Sequence, residues 1–295
     1  MQQRKAGEKI ISALAEFDYL TALQITRLLY APTSLTHVQE QMKSLADASL
    51  VIMLGGKALG LPRIYTLSGT GRQYAAGLGA LPRQRFRPSE EKNKARNPYV
   101  LKHTIAITDV LIGARLLSER VPPIRLTRMY TERELKRKIS VQIPEPVGEG
   151  ETRLRTRYLE PDASLLFRIS EIWHDPPQTW EDFFHIEVYR NLPPAEWRFK
   201  QKIRGYEAAA ATGIHEALFA TPAMEVAVFA QTPTMAATLK RWTEEALQDM
   251  HQPNHGGRFF FCSLDASSAS PEELFLSPVW EQAFGTTTTP LLVLE

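Results

Sequence analysis

Two acidic residues lie where neighbouring strands are predicted to meet in the second half of the sequence. Asp162 follows Pro161 at the start of a strand predicted over Ala163 to Arg168. Glu187 comes about 25 residues later, in a strand predicted over Asp182 to Tyr189. Two carboxylates at adjacent strand ends can hold a divalent cation, usually Mg²⁺, which orients water and offsets charge on a scissile phosphate. The sequence therefore predicts a candidate metal site formed by Asp162 and Glu187.

This arrangement resembles the PD-(D/E)XK nuclease-like fold, which implies a lysine two residues after the glutamate to activate water or neutralise the transition state. That position is Tyr189 here, and a phenol cannot supply the cation. Lys200 or Lys202, on the helix predicted after the strand, could bring an ammonium group into the same space. We expect Lys202 to do so and to pair with Glu187, because apolar residues beside it indicate that its side of the helix borders the sheet. The candidate catalytic residues are thus Asp162, Glu187 and Lys202.

A second set of side chains, in the first 78 residues, is suited to contacts with DNA. A third helix is predicted after a turn that follows Tyr30, and its buried apolar stripe consists of Leu35, Val38, Met42 and Leu45. Five polar side chains face away from this stripe, namely Thr36, His37, Gln39, Glu40 and Lys43. They can exchange hydrogen bonds with base edges, and the lysine can reach a phosphate. Lys57 and Arg63 lie on a predicted hairpin, where they could contact the DNA backbone.

The elements around these residues follow the order of a winged helix-turn-helix. Two helices are predicted before the third one, over residues 5–17 and 22–30, with Thr21 as the N-cap of the second. The motifs that carry the resemblance to winged-helix regulators are Leu45-Ala46-Asp47-Ala48-Ser49-Leu50-Val51 and Tyr65-Thr66-Leu67-Ser68-x-x-Gly71. The resemblance implies that the third helix enters the major groove of double-stranded DNA while the hairpin touches the backbone or the minor groove. Winged helices also serve as protein-interaction modules, which is the alternative for this domain.

Charge divides the chain into parts of opposite sign. Residues 1–102 contain 15 Lys and Arg against 7 Asp and Glu, whereas the remainder contains 20 against 26. This asymmetry favours a nucleic-acid-binding domain at 1–78, followed at 79–98 by a basic linker that could track phosphates or only add solubility. Strands and helices alternate over 99–295, which predicts an α/β domain with a mixed sheet. Within it, the segment from Pro144 to Glu151 is predicted to be a loop. The fold class is therefore α+β or α/β, a winged helix followed by a nuclease-like domain.

Composition excludes several classes of protein. The chain of 295 residues is 43% hydrophobic and 23% charged, which is ordinary for a globular protein and unlike a disordered or fibrous one. A single cysteine, Cys262, excludes an intramolecular disulfide and a cysteine-rich zinc site, and it fits a reducing compartment. No segment reaches the apolar length of a spanning helix, and the start lacks the apolar core of a signal peptide. We expect a cytoplasmic protein without a membrane partner.

Taken together, the motifs resemble the replication-relaxation family, whose members occur on bacterial plasmids and integrated mobile elements and are linked to plasmid replication and DNA relaxation. Beyond the winged helix and linker, the motifs that carry the resemblance are Leu101-x-His103-x-x-Ala106-Ile107-x-Asp109-Val110, Pro161-Asp162-Ala163, Phe184-x-Ile186-Glu187-Val188 and Lys202-x-x-x-Tyr206. An acidic residue two positions after the glutamate is common in that family, and Tyr189 departs from this pattern.

Two functions follow as expectations. The first is a non-catalytic protein of a plasmid or mobile element that binds double-stranded DNA in replication, DNA relaxation or transcriptional control. The second is a nuclease that hydrolyses phosphodiesters with Mg²⁺ and is directed to DNA by its winged helix. Tyr189 in the usual lysine position favours the first. Because many winged helices read two half-sites as dimers, we also expect a homodimer.

Overall fold

The computed structural model describes residues 2–56, 60–80, 97–148, 151–171, 178–190 and 193–294. The chain divides into two compact units, Met1–Ile112 and Gly113–Glu295. The first contains a three-stranded sheet, and the second contains a seven-stranded mixed sheet and a separate hairpin. The expected combination of helices with a large mixed sheet is therefore confirmed. None of the helices in the described part of the chain is long and apolar enough to cross a membrane.

The first unit alternates short helices with short strands and ends in a long helix. Its helices are α1 (Gln2–Phe17), α2 (Ala22–Leu29), α3 (Leu35–Asp47), α4 (Gly69–Gly77) and α5 (Pro98–Arg120), the last of which contains the unit boundary. Its strands are β1 (Leu20–Thr21), β2 (Val51–Gly55) and β3 (Arg63–Leu67). They pair antiparallel in the order β1-β3-β2, so β2 and β3 form a hairpin.

The spacing of apolar residues along the sequence explains why these segments form helices. The face that α1 buries consists of Ile10, Ile11, Ala13, Leu14 and Phe17. In α3, Val38, Met42 and Leu45 are buried as the sequence predicts, whereas Leu35 is only half-buried because it is the first residue of the helix. Burying such a stripe is what stabilises helices this short, since isolated helices of about 13 residues are marginal in water.

Gln24 fixes both the start of α2 and its contact with α5. Its side-chain Oε1 accepts from the backbone N–H of Thr21 at 2.9 Å, while the Thr21 hydroxyl accepts from the Gln24 N–H at 3.1 Å. The Gln24 amide Nε2 then donates to Asp109 Oδ1 at 2.9 Å and to the carbonyl of Ile105 at 3.0 Å. The side chains of Thr21, Gln24 and Asp109 are buried, so the motif residue Asp109 has a structural role in holding α2.

The second unit carries its helices along one long sheet. Its strands are β4 (Ile124–Thr131), β5 (Ile139–Gly148), β6 (Glu151–Leu159), β7 (Ala163–Glu171), β8 (Gln178–Tyr189), β9 (Glu225–Ala230), β10 (Phe259–Cys262), β11 (Trp280–Gln282) and β12 (Thr288–Thr289). Its further helices are α6 (Glu132–Leu135), α7 (Glu196–Ala211), α8 (Ile214–Phe219), α9 (Pro233–Asp249) and α10 (Pro271–Phe275). The large sheet has the order β12-β11-β10-β9-β8-β7-β4.

The centre of the large sheet is parallel and its two sides are antiparallel. Strands β8, β9 and β10 run parallel, whereas β7 and β4 on one side and β11 and β12 on the other run antiparallel to their neighbours. The connection from β8 to β9 contains α7 and α8, and the connection from β9 to β10 contains α9. The core between sheet and helices is apolar, and its largest members are Phe183, Phe199, Tyr206, Phe219, Trp242, Phe259 and Phe261.

The prediction of a loop from Pro144 to Glu151 is wrong. Strands β5 and β6 form a long antiparallel hairpin that includes most of this segment and pairs separately from the large sheet. Pro144 and Pro146 obscured it, because proline lacks an N–H and disfavours central strands. In a two-stranded ribbon both strands are edges, where a proline is tolerated. The hairpin packs against α7, and a Cβ added at Gly205 would lie 3.3 Å from Leu159 Cδ1.

Candidate functional site

Asp162 and Glu187 lie side by side at the junction of β7 and β8. The backbone N–H of Asp162 donates to the carbonyl of Ile186 at 3.1 Å, immediately before Ala163 pairs with Ile186 in the ladder. One carboxylate oxygen of Asp162, Oδ2, accepts from the N–H of Val188 at 2.7 Å. Asp162 therefore bonds to both of the residues that flank Glu187 on β8.

The carboxylate of Glu187 is held by side chains from α7. Lys202 Nζ lies 2.5 Å from Glu187 Oε2, and the hydroxyl of Tyr206 donates to Glu187 Oε1. Lys202 and Tyr206 are four residues apart on a helix, so they share one face and reach the same carboxylate. The hydroxyl of Tyr189 adds a long contact of 3.5 Å to Oε2. The Glu187 side chain is 3% exposed and that of Lys202 is 25% exposed, so only the lysine is partly open to solvent.

Burial and charge act against each other in this cluster. Burial raises the pKa of Glu187 to about 7, although the ammonium of Lys202 opposes the rise. Burial lowers the pKa of Lys202, but the charges of Glu187 and Asp162 outweigh it and leave that pKa above its usual value. Burial also raises the pKa of Tyr206 well above its usual value, with Glu187 adding to the effect. At neutral pH the lysine is therefore charged, the phenol is a donor and Glu187 lies near its titration point.

The residues present do not fit a Mg²⁺ ion in this arrangement. Mg²⁺ requires oxygen ligands at about 2.0–2.1 Å in near-octahedral geometry. Both oxygens of Glu187 already accept from Lys202 and Tyr206, and Oδ2 of Asp162 accepts from a backbone N–H. The ammonium of Lys202 thus takes the place beside the carboxylate that a cation would need. Among the described residues, no group of three or more His, Cys, Asp and Glu side chains is placed to hold a metal ion.

Lys202 and Lys200 diverge as expected from their spacing of two residues. Whereas Lys202 points at Glu187, the ammonium of Lys200 lies 2.6 Å from both Glu196 and Glu245. The expected pairing of Glu187 with Lys202 is therefore found. Tyr206 belongs to one of the family motifs but was not predicted as part of the site, although its spacing of four residues from Lys202 carried the signal.

Two buried histidines beside this cluster were also missed. Ser164 Oγ and His185 Nδ1 are 2.8 Å apart, and the rings of His185 and His215 have their centroids 5.3 Å apart. Burial lowers the pKa of His185 well below its usual value, and burial also lowers that of His215. Both imidazoles are therefore neutral at physiological pH and pack as polar members of an aromatic core that includes Phe183.

The polar side of α3 is exposed in the first unit. The residues Thr36, His37, Gln39, Glu40 and Lys43 are all exposed, opposite the buried stripe of the same helix. The ring of His37 contacts that of Tyr30 edge-on, with centroids 6.0 Å apart. Arg63 is exposed at the start of β3, where it pairs with Gly55. Lys57 lies outside the described residues, as does most of the expected linker at 79–98.

One family model matches most of the chain. The model described as replication-relaxation matches residues 11–221, which is more than half of the chain. This span includes α3, the β2–β3 hairpin, Asp109 and the cluster of Asp162, Glu187, Lys202 and Tyr206. Comparison with curated proteins and with solved structures gives no match. The chain belongs to the replication-relaxation family.

Proposed function

We propose that this protein binds double-stranded DNA through a winged helix in its first unit and does not hydrolyse it. The family to which it belongs favours a role in the replication or relaxation of a plasmid or mobile element, or in control of its transcription. The observation that carries the proposal is the exposed polar face of α3, which includes Gln39 and Lys43, opposite an apolar stripe that anchors the helix.

The elements around α3 support a docking geometry. Helices α2 and α3 are joined by the short 3₁₀ turn Pro32–Ser34, and the β2–β3 hairpin follows with Arg63 exposed on it. In this geometry α3 lies in the major groove, Thr36, His37 and Gln39 face base edges, and Lys43 reaches a phosphate. Arg63 contacts the backbone beside the groove.

Titration of duplex binding against salt tests this geometry. Lys43→Ala and Arg63→Ala should each weaken binding, and each substitution should lower the slope of log affinity against log salt by about 1, because each removes one phosphate partner. Lys240→Ala is the matched control, since Lys240 is bound to Glu281 and to the carbonyl of Gly285 in the other unit. Unchanged slopes in both test variants would exclude the docking proposed for α3 and the hairpin.

The contacts of Glu187 support a role without hydrolysis. Its two oxygens accept from Lys202 and Tyr206, and Tyr189 stands at the position where a nuclease-like site has its lysine. A metal-dependent nuclease is the second candidate, because Asp162, Glu187 and Lys202, the residues that the nuclease-like resemblance implies for catalysis, lie together. Incubation of supercoiled plasmid with the protein and Mg²⁺ or Mn²⁺ distinguishes the two candidate functions. We expect no nicked or linear DNA to form, whereas nicked or linear DNA that Asp162→Ala abolishes would establish the nuclease.

We further propose that the protein binds DNA as a homodimer. Recognition of two half-sites by two copies of α3 requires the two-fold symmetry that most dimers have. Sedimentation of the protein at micromolar concentration, with and without duplex DNA, measures this. A mass of two chains on one duplex with a two-fold repeat is expected, and a single chain on every duplex would count against it.

A further inference from the structure

A cavity beside Lys202 has the composition of a site for single-stranded nucleic acid. It has a volume of about 430 Å³ and lies between the β5–β6 hairpin and the start of α7. Ligand sites in proteins commonly have volumes of about 300–1,000 Å³. Its polar lining comes from Arg157, Glu160, Arg198, Gln201 and Lys202, and its exposed aromatic residue on α7 is Trp197.

Trp197 and Tyr158 are the exposed aromatic residues in the lining of the cavity, and Trp197 is the larger of the two. Its side chain is 61% exposed in the first turn of α7, whereas Phe199 two residues later is 2% exposed and belongs to the core. At the rim of the cavity, the exposed indole offers a flat aromatic face on which a planar group can stack. The guanidinium of Arg198 stands 5.2 Å from the centre of the Trp197 ring.

Cationic side chains line the cavity both on the β5–β6 hairpin and on α7. Arg157 is exposed on β6, where it pairs with Val141, and it lines the same cavity as Arg198 and Lys202. Arg157, Arg198 and Lys202 supply three cations to the lining, against the single carboxylate of Glu160.

We propose that this cavity binds one strand of unpaired DNA, with a base stacked on Trp197 and the neighbouring phosphates on Arg157 and Arg198. A planar base fits an exposed indole, and arginines beside it neutralise the backbone, which is the combination that single-strand sites use. Bases inside a duplex are stacked on one another and do not offer a free face, so the site selects unpaired DNA. This inference goes beyond duplex binding by α3 and concerns the second unit alone.

Fluorescence anisotropy of a labelled oligothymidine strand with the full-length protein tests the proposal. Trp197→Ala should weaken binding about tenfold or more, and Trp197→Phe should retain most of it, because stacking on an aromatic ring is worth about 1–3 kcal/mol per base. Arg157→Ala should weaken binding and lower the salt slope by about 0.7, the value for one phosphate of a single strand. A strand of the same length without bases should bind wild-type protein as weakly as the natural strand binds Trp197→Ala.

Matched controls separate this site from α3. Arg168→Ala removes the same charge from β7, where Arg168 pairs with Glu181, and Leu154→Ala removes an equally exposed apolar side chain from β6. Neither should change binding of the strand, and Trp197→Ala should bind duplex DNA as the wild type does. The proposal is overturned if Trp197→Ala binds the strand normally, if the baseless strand binds as tightly as the natural one, or if Lys43→Ala abolishes strand binding.

Discussion

Glu187 is stabilised by two protein donors that approach its two oxygens from one helix face. The lysine was predictable from the sequence, because the apolar neighbours of Lys202 indicate which side of α7 borders the sheet. The two histidines were not predictable, because a buried polar side chain at an apolar position is indistinguishable from core until its partner is known, whereas the spacing of Tyr206 from Lys202 was a signal that the prediction did not use. Glu187 and Ser164, the partners of Tyr206 and His185, lie on strands far away in sequence.

Replacing Lys202 tests whether this ion pair stabilises the second unit. Lys202→Met leaves the Glu187 carboxylate buried without its cation, and at about pH 8 the free energy of unfolding should fall by more than about 1 kcal/mol, the cost of protonating a group whose pKa is about 7. The loss should be smaller at about pH 5 than at about pH 8, because a protonated Glu187 carries no charge to be paired. Urea unfolding at both pH values measures it.

Lys200→Met provides the control for that measurement. Lys200 is two residues away on the same helix, but its partners Glu196 and Glu245 are 48% and 34% exposed, so its ion pairs are solvated. Removing it should cost less than about 1 kcal/mol. Equal losses in the two variants would mean that the Glu187 pair contributes no more than a surface contact.

The pKa of Glu225 predicts a pH-dependent loss of stability in the second unit. Burial raises this pKa from its usual 4.5 to about 8, and the charge of Asp182 adds to the rise. A raised pKa stabilises the folded state below the unfolded value of about 4.5, and this contribution is lost as the pH rises through about 8. Glu225→Gln should therefore gain stability relative to the wild type, by at least about 1 kcal/mol, between these pH values. Urea unfolding of both proteins across that range measures the difference; a constant difference would contradict the assignment.

The Ser68-x-x-Gly71 motif at the start of helix α4 is hydrogen-bonded to the α3–β2 connection. The Ser68 hydroxyl accepts from the N–H of Gly71 at 2.9 Å and donates to the carbonyl of Ser49 at 2.6 Å. The N–H of Ser68 donates to the carbonyl of Leu50 at 3.0 Å. A Cβ at Gly71 would overlap that same Leu50 carbonyl oxygen. Glycine is therefore required at position 71 by close packing of the backbone, which explains why the motif was recognisable from the sequence.

Gly71→Ala should destabilise the first unit by about 3 kcal/mol, because the backbone has no room to give way. Gly77→Ala is the matched control in the same helix, where an added Cβ meets nothing within 4 Å. It should change stability by less than about 1 kcal/mol, in the favourable direction that alanine has in helices. Circular dichroism during urea unfolding reports both, and similar behaviour of the two variants would show that α4 does not pack as described.

The elements with strong apolar periodicity were predictable, and those without it were not. Helices α3 and α9 bury side chains at helical spacing, and the strands at the centre of the large sheet are continuously apolar. The start of β5 does alternate, because the buried residues Ile139, Val141 and Ile143 are separated by Ser140 and Gln142, and this strand pattern was missed. The two prolines that follow and the arginines and threonines of β6 obscured the rest of the hairpin, whose packing against α7 no local pattern encodes.

The basic first part of the sequence, residues 1–102, and the acidic remainder contain different kinds of candidate site. The first unit presents polar and basic side chains on an exposed helix, and the second encloses a carboxylate among donors. The mixed sheet and the family were predicted correctly, because both depend on patterns within the sequence. The hydrogen-bond partners of Glu187 could not be predicted in full, because they depend on β8 and α7 meeting in space.

The central claim is that α3 reads DNA sequence, and affinities for a selected and a scrambled duplex test it most directly. A duplex selected from random sequence by the wild-type protein should bind Gln39→Ala about tenfold or more weakly, while binding of a scrambled duplex stays nearly unchanged, because a base contact is worth about 1–3 kcal/mol of discrimination. Lys43→Ala should weaken both duplexes by a similar factor, because a phosphate contact carries no sequence information. If both variants bind the two duplexes as the wild type does, α3 does not read DNA and the account fails.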